Sequence, residues 1–148
     1  MRIVDANVLL YAVNSGAHQH EESRRWLEEA LGGADTVGFT WNVSLAFLRV
    51  STHAGVFPRP LSVEEAVETL AAWHTSPAGL TVEPGPGHAR ILSELLLARG
   101  TGGNLVPDAH LAALALETRS EIVSFDADFS RFAGIRARTP GQVLATYR

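Results

Sequence analysis

Three aspartates occupy places in this sequence where a carboxylate could do chemistry. Asp5 follows an apolar run at residues 3–4, Asp126 follows a second apolar run, at residues 122–123 of the segment EIVS, and Asp108 begins a segment rich in Ala and Leu. If both runs are strands of a parallel sheet, their carboxyl ends lie at one edge, and a helix entering there brings Asp108 beside them. Carboxylates so close repel each other unless a cation lies between them. Oxygen ligands with open water positions suit Mg²⁺ or Mn²⁺ rather than zinc.

Each of these acids also has an ordinary structural explanation. Asp5 can cap the helix that follows it, Asp108 can complement a helix dipole, and Asp126 and Asp128 are common turn residues. Composition and spacing alone therefore leave both a metal site and separate structural roles open.

Other catalytic chemistry has little support in the sequence. There is no cysteine, and His18 and His20 lack the spacing of zinc ligands. No Gly-rich dinucleotide fingerprint follows the first strand, and no convincing Ser-His-Asp arrangement is present. His110 lies two residues after Asp108, on roughly the opposite side of a helix. We expect it to pack or to form hydrogen bonds rather than to act as a general base.

Composition indicates a globular protein with a net negative charge. The 148 residues are 46% hydrophobic and 19% charged, with a net charge of −4, so any binding of a polyanion must be local. All 12 basic residues are arginine, which can grip phosphate in a bidentate way. The sequence has no cysteine and no signal-peptide pattern, and no apolar run approaches the ~20 residues of a membrane helix. We therefore expect a cytoplasmic protein that does not enter a membrane.

The elements that must position the acids alternate between strands and helices. Strands are predicted at residues 3–4, 36–39, 80–82, 121–124 and, at an edge, 135–137. Longer helices are predicted at residues 18–31, 41–53, 62–74, 88–99 and 107–117, and a short one follows Thr139. This alternation predicts a single α/β domain over residues 1–148, with a central, mainly parallel sheet of four to five strands flanked by helices.

Three segments of the chain resemble the PIN-domain toxins of VapBC type II toxin–antitoxin modules. They read IVDANVLLY at residues 3–11, NLVPDAHLAALA at residues 104–115 and IVSFDADFSRF at residues 122–132. The similarity extends over almost the whole chain and includes FLRV at residues 47–50. It implies a PIN-like fold and RNA cleavage that depends on Mg²⁺ or Mn²⁺. It also implies a homodimer restrained by a VapB-like antitoxin. The apolar side chains of the helices at residues 26–31 and 43–50 either contribute to such interfaces or pack in the core.

The resemblance assigns roles to particular residues. Asp5, Asp108 and Asp126 are implied to be catalytic, metal-binding acids, with Asp128 as a further ligand or a supporting group. Asn7 and Thr40 lie where polar side chains can support Asp5.

The hypothesis that follows needs no protein nucleophile, because a bound metal ion activates water for attack on a phosphodiester. Arg49 is expected either to steer RNA or to form a salt bridge. Trp41 could stack on a base, although we expect it to pack in the core.

One position departs from the family pattern. Many members carry a glutamate three residues before the arginine that matches Arg49, and here that position is Ala46. Either Asp128 or water takes its place, or the metal binds more weakly, or the protein is impaired and serves only as a binding and autoregulatory partner of an antitoxin. A phosphatase with a nucleophilic aspartate after its first strand is a weaker alternative, because the second acid it needs would fall at Asn7.

Overall fold

Five short strands form one sheet in which every neighbouring pair is parallel. In the computed structural model, which describes residues 1–148, the strands are β1 (Arg2–Val4), β2 (Val37–Phe39), β3 (Gly79–Thr81), β4 (Glu121–Val123) and β5 (Ala137–Arg138). Their spatial order is β3-β2-β1-β4-β5. The predicted parallel α/β sheet is confirmed, with five strands and β1 at its centre.

Seven α-helices connect and flank these strands. They are α1 (Ala6–Ala12), α2 (His20–Glu29), α3 (Trp41–Ser51), α4 (Val63–Thr75), α5 (His88–Arg99), α6 (Val106–Thr118) and α7 (Pro140–Leu144). The second helix is shorter than predicted because its last turn widens over Ala30–Ala34, where Gly33 adopts a φ of 115° that favours glycine. No helix combines the length and hydropathy needed to span a membrane.

The pairing of β1 with β4 fixes the relative positions of Asp5 and Ser124. Ile3 pairs with Ile122 and Val4 with Val123, and all four side chains are fully buried. This register places Asp5 level with Ser124, one residue beyond each strand.

Helix α6 is the buried helix that the Ala- and Leu-rich segment predicted. Its residues from Leu111 to Ala115 are all buried, and small side chains there allow close packing against the sheet. Because the helix cannot shift freely, Asp108 in its first turn has a defined position relative to the sheet.

The amino ends of the strands are held by a separate group of charges. Nε of Arg2 donates to Oε2 of Glu121 at 3.0 Å, and Arg2 also pairs with Asp35. Nε of Arg138 lies 2.7 Å from Oε1 of Glu121. These ion pairs join the amino ends of β1 and β4 to each other and to Arg138 of β5, away from Asp5.

Of the two roles left open for the apolar side chains of α2 and α3, core packing is confirmed for three of them. Trp26, Val43 and Phe47 are buried within the chain's own core, because these faces of α2 and α3 pack inward.

Candidate active site

Asp5 is both a helix cap and a buried acid at the carboxyl edge of the sheet. Its Oδ1 accepts a hydrogen bond from the Ala6 backbone N–H at 2.7 Å. Its Oδ2 accepts from the Ser124 hydroxyl at 2.6 Å and from Nδ2 of Asn7 at 3.2 Å. Burial raises the pKa of Asp5, the hydrogen bonds from Ser124 and Ala6 oppose that rise, and the charge of Asp126 adds to it. The ionised form of Asp5 is therefore unfavourable at this position unless a positive charge lies near it.

Ser124 connects the two strand ends, a role that the sequence alone did not indicate. Its Oγ accepts from Nδ2 of Asn7 at 3.1 Å and from the Asp126 backbone N–H at 2.9 Å. Oδ1 of Asn7 accepts from the Phe125 backbone N–H at 3.3 Å. The predicted support of Asp5 by Asn7 is thus a direct hydrogen bond, and Ser124 joins it.

Asp126 begins a short 3₁₀ turn after β4. Its Oδ1 accepts from the Asp128 backbone N–H at 2.8 Å, so it also has the turn-forming role considered above. The Asp128 side chain is 47% exposed and pairs with Arg131 at 3.4 Å. Asp128 is therefore peripheral to the acids, with part of its charge offset by an arginine.

Asp108 completes the group from the first turn of α6. The pKa of Asp108 is raised to about 7. The largest cause is burial, followed by the charges of Asp126 and Asp5, a side-chain hydrogen bond with Asp126 and the charge of Asp128. The fold thus brings together acids from three separate segments of the chain.

The donor chemistry of this group fits a hard divalent cation. All of the facing ligand atoms are carboxylate oxygens, and Asp5, Asp108 and Asp126 form no ion pair with any basic group of the chain. No set of three or more His, Asp or Glu side chains is, however, already arranged as a coordination site. The oxygens of Asp5 and one oxygen of Asp126 are engaged in hydrogen bonds. The structure thus shows an acidic cluster rather than a finished ligand shell.

A cavity of about 630 Å³ opens beside this cluster, between α6 and α3. Asp5 and Asp108 line one side, and Asn42, Ala46 and Arg49 of α3 line the other. Arg49 is the only basic residue among the lining residues. The glutamate side chain that the family pattern would place at position 46 is therefore absent from the wall of this cavity.

Three further expectations have clear outcomes. The buried Thr40 hydroxyl donates to Oδ1 of Asn42 at 2.7 Å, so its recorded hydrogen bond goes to Asn42 and not to Asp5. Trp41 is 51% exposed, and the expectation that it packs in the core is wrong. Arg49 is exposed and takes part in none of the ion pairs of the chain, so the salt-bridge alternative has no support.

His110 has the hydrogen-bonding role that its position predicted. Its Nδ1 lies 2.9 Å from Nε2 of His88, and Nδ1 of His88 lies 2.6 Å from Oε2 of Glu117. Burial, followed by the neighbouring His88, lowers the pKa of His110. This chain of rings joins α5 to α6.

Comparison with known proteins identifies the family. The sequence profile of the PIN domain matches residues 2–135. The chain belongs to the PIN-domain family. This PIN domain is 54% identical over 144 residues to "Ribonuclease VapC37" of Mycobacterium tuberculosis, covering 97% of this chain and 100% of that protein. It is 36% identical over 140 residues to "Ribonuclease VapC33" of the same species, covering 95% and 98%. The resemblance to VapC toxins that the three motifs suggested is confirmed.

Two solved structures share the fold of this PIN domain. One is VapBC2 from Rickettsia felis bound to a DNA fragment from its promoter, with a TM-score of 0.65, 17% identity and coverage of 93% of this chain and 97% of that one. The other is FitAB bound to the IR36 DNA fragment, with a TM-score of 0.62, 17% identity and 95% coverage of each chain. At this identity the similarity establishes architecture alone.

Proposed function

We propose that this PIN domain is the toxin of a VapBC-type toxin–antitoxin module and hydrolyses RNA phosphodiester bonds with Mg²⁺ or Mn²⁺ as cofactor. The observation that carries the proposal is the meeting of Asp5, Asp108 and Asp126 at one edge of the sheet without a basic partner. The name ribonuclease borne by a relative of 54% identity supports the same activity.

In this proposal the three acids hold the cation, and Ser124 and Asn7 orient Asp5. When bound, the cation supplies an activated water and stabilises the charge that develops on the phosphate. Asp108, whose pKa is about 7, would have to release its proton to hold the cation, because metal ligands must be deprotonated. Asp5 and Asp108 line the cavity between α3 and α6, where a phosphodiester has access.

The proposed partners are a VapB-like antitoxin, RNA and a second copy of the chain. Support for the antitoxin comes from the VapC names of the relatives and from the shared fold with the VapBC2 complex. The proposed homodimer rests on the family resemblance.

A second candidate is a PIN domain without catalysis that binds an antitoxin and takes part in autoregulation. Two points favour it. The family resemblance implies a glutamate where this chain has Ala46, which lines the cavity, and no set of three side chains is already arranged as a coordination site. The VapBC2 and FitAB structures are both described as bound to DNA fragments.

One pair of measurements separates these candidates. The purified chain is titrated with Mn²⁺ by calorimetry and incubated with RNA in Mg²⁺, in Mn²⁺ and in EDTA. An Asp126→Asn variant purified in parallel controls for contaminating nucleases. Heat of Mn²⁺ binding together with cleavage that EDTA and the variant abolish is the expected result. No heat and no cleavage would favour the second candidate.

A further inference from the structure

Helix α3 presents an exposed stripe beside the acidic cluster. Trp41, Leu45 and Arg49 recur every four residues, so they lie on one face of the helix, and all three are exposed. Leu45 and Arg49 also line the cavity that contains Asp5 and Asp108. The stripe therefore runs along the helix and into the candidate active site.

The Trp41 ring packs against another ring of the protein but is not buried. Its ring lies 5.6 Å from the His74 ring at an interplanar angle of 30°, and His74 stacks on Phe39 at 4.8 Å. His74 is fixed by the Ser44 hydroxyl at 3.0 Å and by the Thr81 hydroxyl at 3.2 Å. An aromatic ring that is backed by a fixed stack yet half exposed is suited to receive another flat ring, with little ordering left to be done on binding.

Arg49 is the available cation of the stripe. It forms none of the chain's ion pairs, and the position three residues earlier, where a glutamate could pair with it, is Ala46. Arg49 lies two turns, about 12 Å, from Trp41 along the helix axis. An arginine in the wall of a cavity that also contains two carboxylates gives a phosphate group a specific place to bind at a surface that would otherwise repel it.

From these contacts we propose that the stripe of Trp41, Leu45 and Arg49 binds the single RNA strand that enters the site, with a base stacked on Trp41 and a phosphate on Arg49. The inference rests on the proposed ribonuclease function and adds the substrate-positioning residues. Stacking requires an unpaired base, so the substrate class is single-stranded RNA, such as a loop or a tail. An exposed tryptophan could also bind a protein partner. The stripe is continuous with the acidic cavity, however, and this favours the RNA strand that is cleaved there as the bound molecule.

The test measures binding without cleavage. A labelled, mixed-sequence, single-stranded oligoribonucleotide is titrated with the full chain in EDTA by fluorescence anisotropy, at several salt concentrations. The variants are Trp41→Leu, Trp41→Phe and Arg49→Gln. Leu97→Ala and Arg99→Gln are the controls, since both residues are exposed on α5 and lie outside the cavity lining.

Each variant has its own expected signature. Trp41→Leu, which keeps apolar area but loses the ring, weakens binding about tenfold with the salt dependence unchanged, whereas Trp41→Phe retains most of the affinity. Arg49→Gln weakens binding and makes the slope of log K against log salt shallower by about 0.7, the value for one lost phosphate contact on a single strand. The controls bind as the parent does.

Failure of this inference is distinguishable from failure of the proposed function. If the parent cleaves RNA in Mg²⁺ but Trp41→Leu and Arg49→Gln, both folded by circular dichroism, bind the oligonucleotide as tightly as the parent, the inference is overturned and the function stands. If Trp41→Leu instead changes the sedimentation of the protein without changing RNA affinity, the stripe is a protein contact and the inference is equally overturned. A parent that neither binds nor cleaves RNA contradicts both.

Discussion

The hydroxyl of Ser124 donates a hydrogen bond of 2.6 Å to Oδ2 of Asp5, across the ends of two neighbouring strands. Oγ of Ser124 also accepts hydrogen bonds from the Asp126 backbone N–H and from Nδ2 of Asn7. One small side chain therefore fixes the positions of two of the three proposed metal ligands relative to each other.

Ser124→Ala should weaken metal binding more than it weakens the fold. Loss of the hydroxyl frees Asp5 to rotate and removes a bond that favours its charged form, so Mn²⁺ affinity should fall about 10- to 100-fold. The free energy of unfolding should fall by about 1–2 kcal/mol. Calorimetric titration and thermal melts measure the two effects. Ser130→Ala is the matched control, because that exposed hydroxyl bonds only to the Ala127 carbonyl; equal Mn²⁺ affinities for the two variants would contradict the role given to Ser124.

The stability of the metal-free protein should fall as pH rises from about 4 to about 7. The folded-state pKa of Asp108 is about 7 against an ordinary value of 3.8, so between these values the folded protein holds a proton that the unfolded chain has released. Unfolding then becomes easier with each rise in pH, and the trend ends once both states are ionised. The loss attributable to Asp108 should be about 1 kcal/mol, since the group is only partly buried and solvent screens its neighbours.

Thermal melts in EDTA at pH 5 and pH 8 measure this loss, and Asp108→Asn provides the reference. The difference between the two pH values should be smaller in Asp108→Asn, and Mg²⁺ should stabilise the parent more at pH 8 than at pH 5. An identical pH dependence in parent and variant would show that Asp108 does not titrate in this range.

Restoring a carboxylate at position 46 should strengthen the metal site. Ala46→Glu adds a negative charge to the wall that faces Asp5 and Asp108, and Mn²⁺ affinity should rise on the order of tenfold. Ala46→Gln adds similar bulk without charge and should leave the affinity near that of the parent. If both variants behave alike in the titration, the cation does not bind within reach of this wall.

Disruption of the ion pairs at the opposite edge should destabilise the protein without affecting its chemistry. Glu121 is 8% exposed at its side chain and pairs with Arg2 and Arg138. Glu121→Gln therefore removes the acid that pairs with Arg138 and one of the two acids that pair with Arg2. The expected cost is about 2 kcal/mol of unfolding free energy in urea. Glu94→Gln, which removes an exposed pair with Arg90, should cost less than about 0.5 kcal/mol. Mn²⁺ affinity should be unchanged in both, and a loss of affinity in Glu121→Gln alone would show that the two edges are coupled.

The parts of the fold that local sequence determines were predictable. Apolar runs before Asp5 and Asp126 marked β1 and β4, and Pro107 marked the start of α6, so the convergence of three acids followed from the rule for parallel sheets. Strand β3 lies one residue earlier than predicted, because Gly79 rather than Leu80 begins the pairing with β2. A side chain at Gly79 would collide with the Trp73 carbonyl, a tertiary constraint that leaves no local signal.

The roles of Ser124 and Trp41 depended on information beyond residue type. Ser124 reaches Asp5 only because Val4 pairs with Val123, and strand register cannot be obtained from one strand alone. For Trp41 the signal was present: Val43 and Phe47 set the buried face of α3, and Trp41 lies off that face. The apolar character of tryptophan suggested the core, whereas the phase of the helix places it at the surface.

The rate of RNA cleavage by Asp5→Asn shows whether Asp5 holds a cation that hydrolysis requires. Asn keeps the size of the side chain and its hydrogen bond with the Ala6 backbone, so the variant should fold, while the loss of a charged ligand should abolish cleavage in Mg²⁺. The measurement is the initial rate of RNA cleavage by parent and variant in Mg²⁺, with EDTA as the blank and circular dichroism as the check on folding. We expect a parent rate that EDTA removes and no measurable rate for Asp5→Asn. A folded Asp5→Asn that cleaves RNA as fast as the parent would contradict the role of Asp5 as a metal ligand.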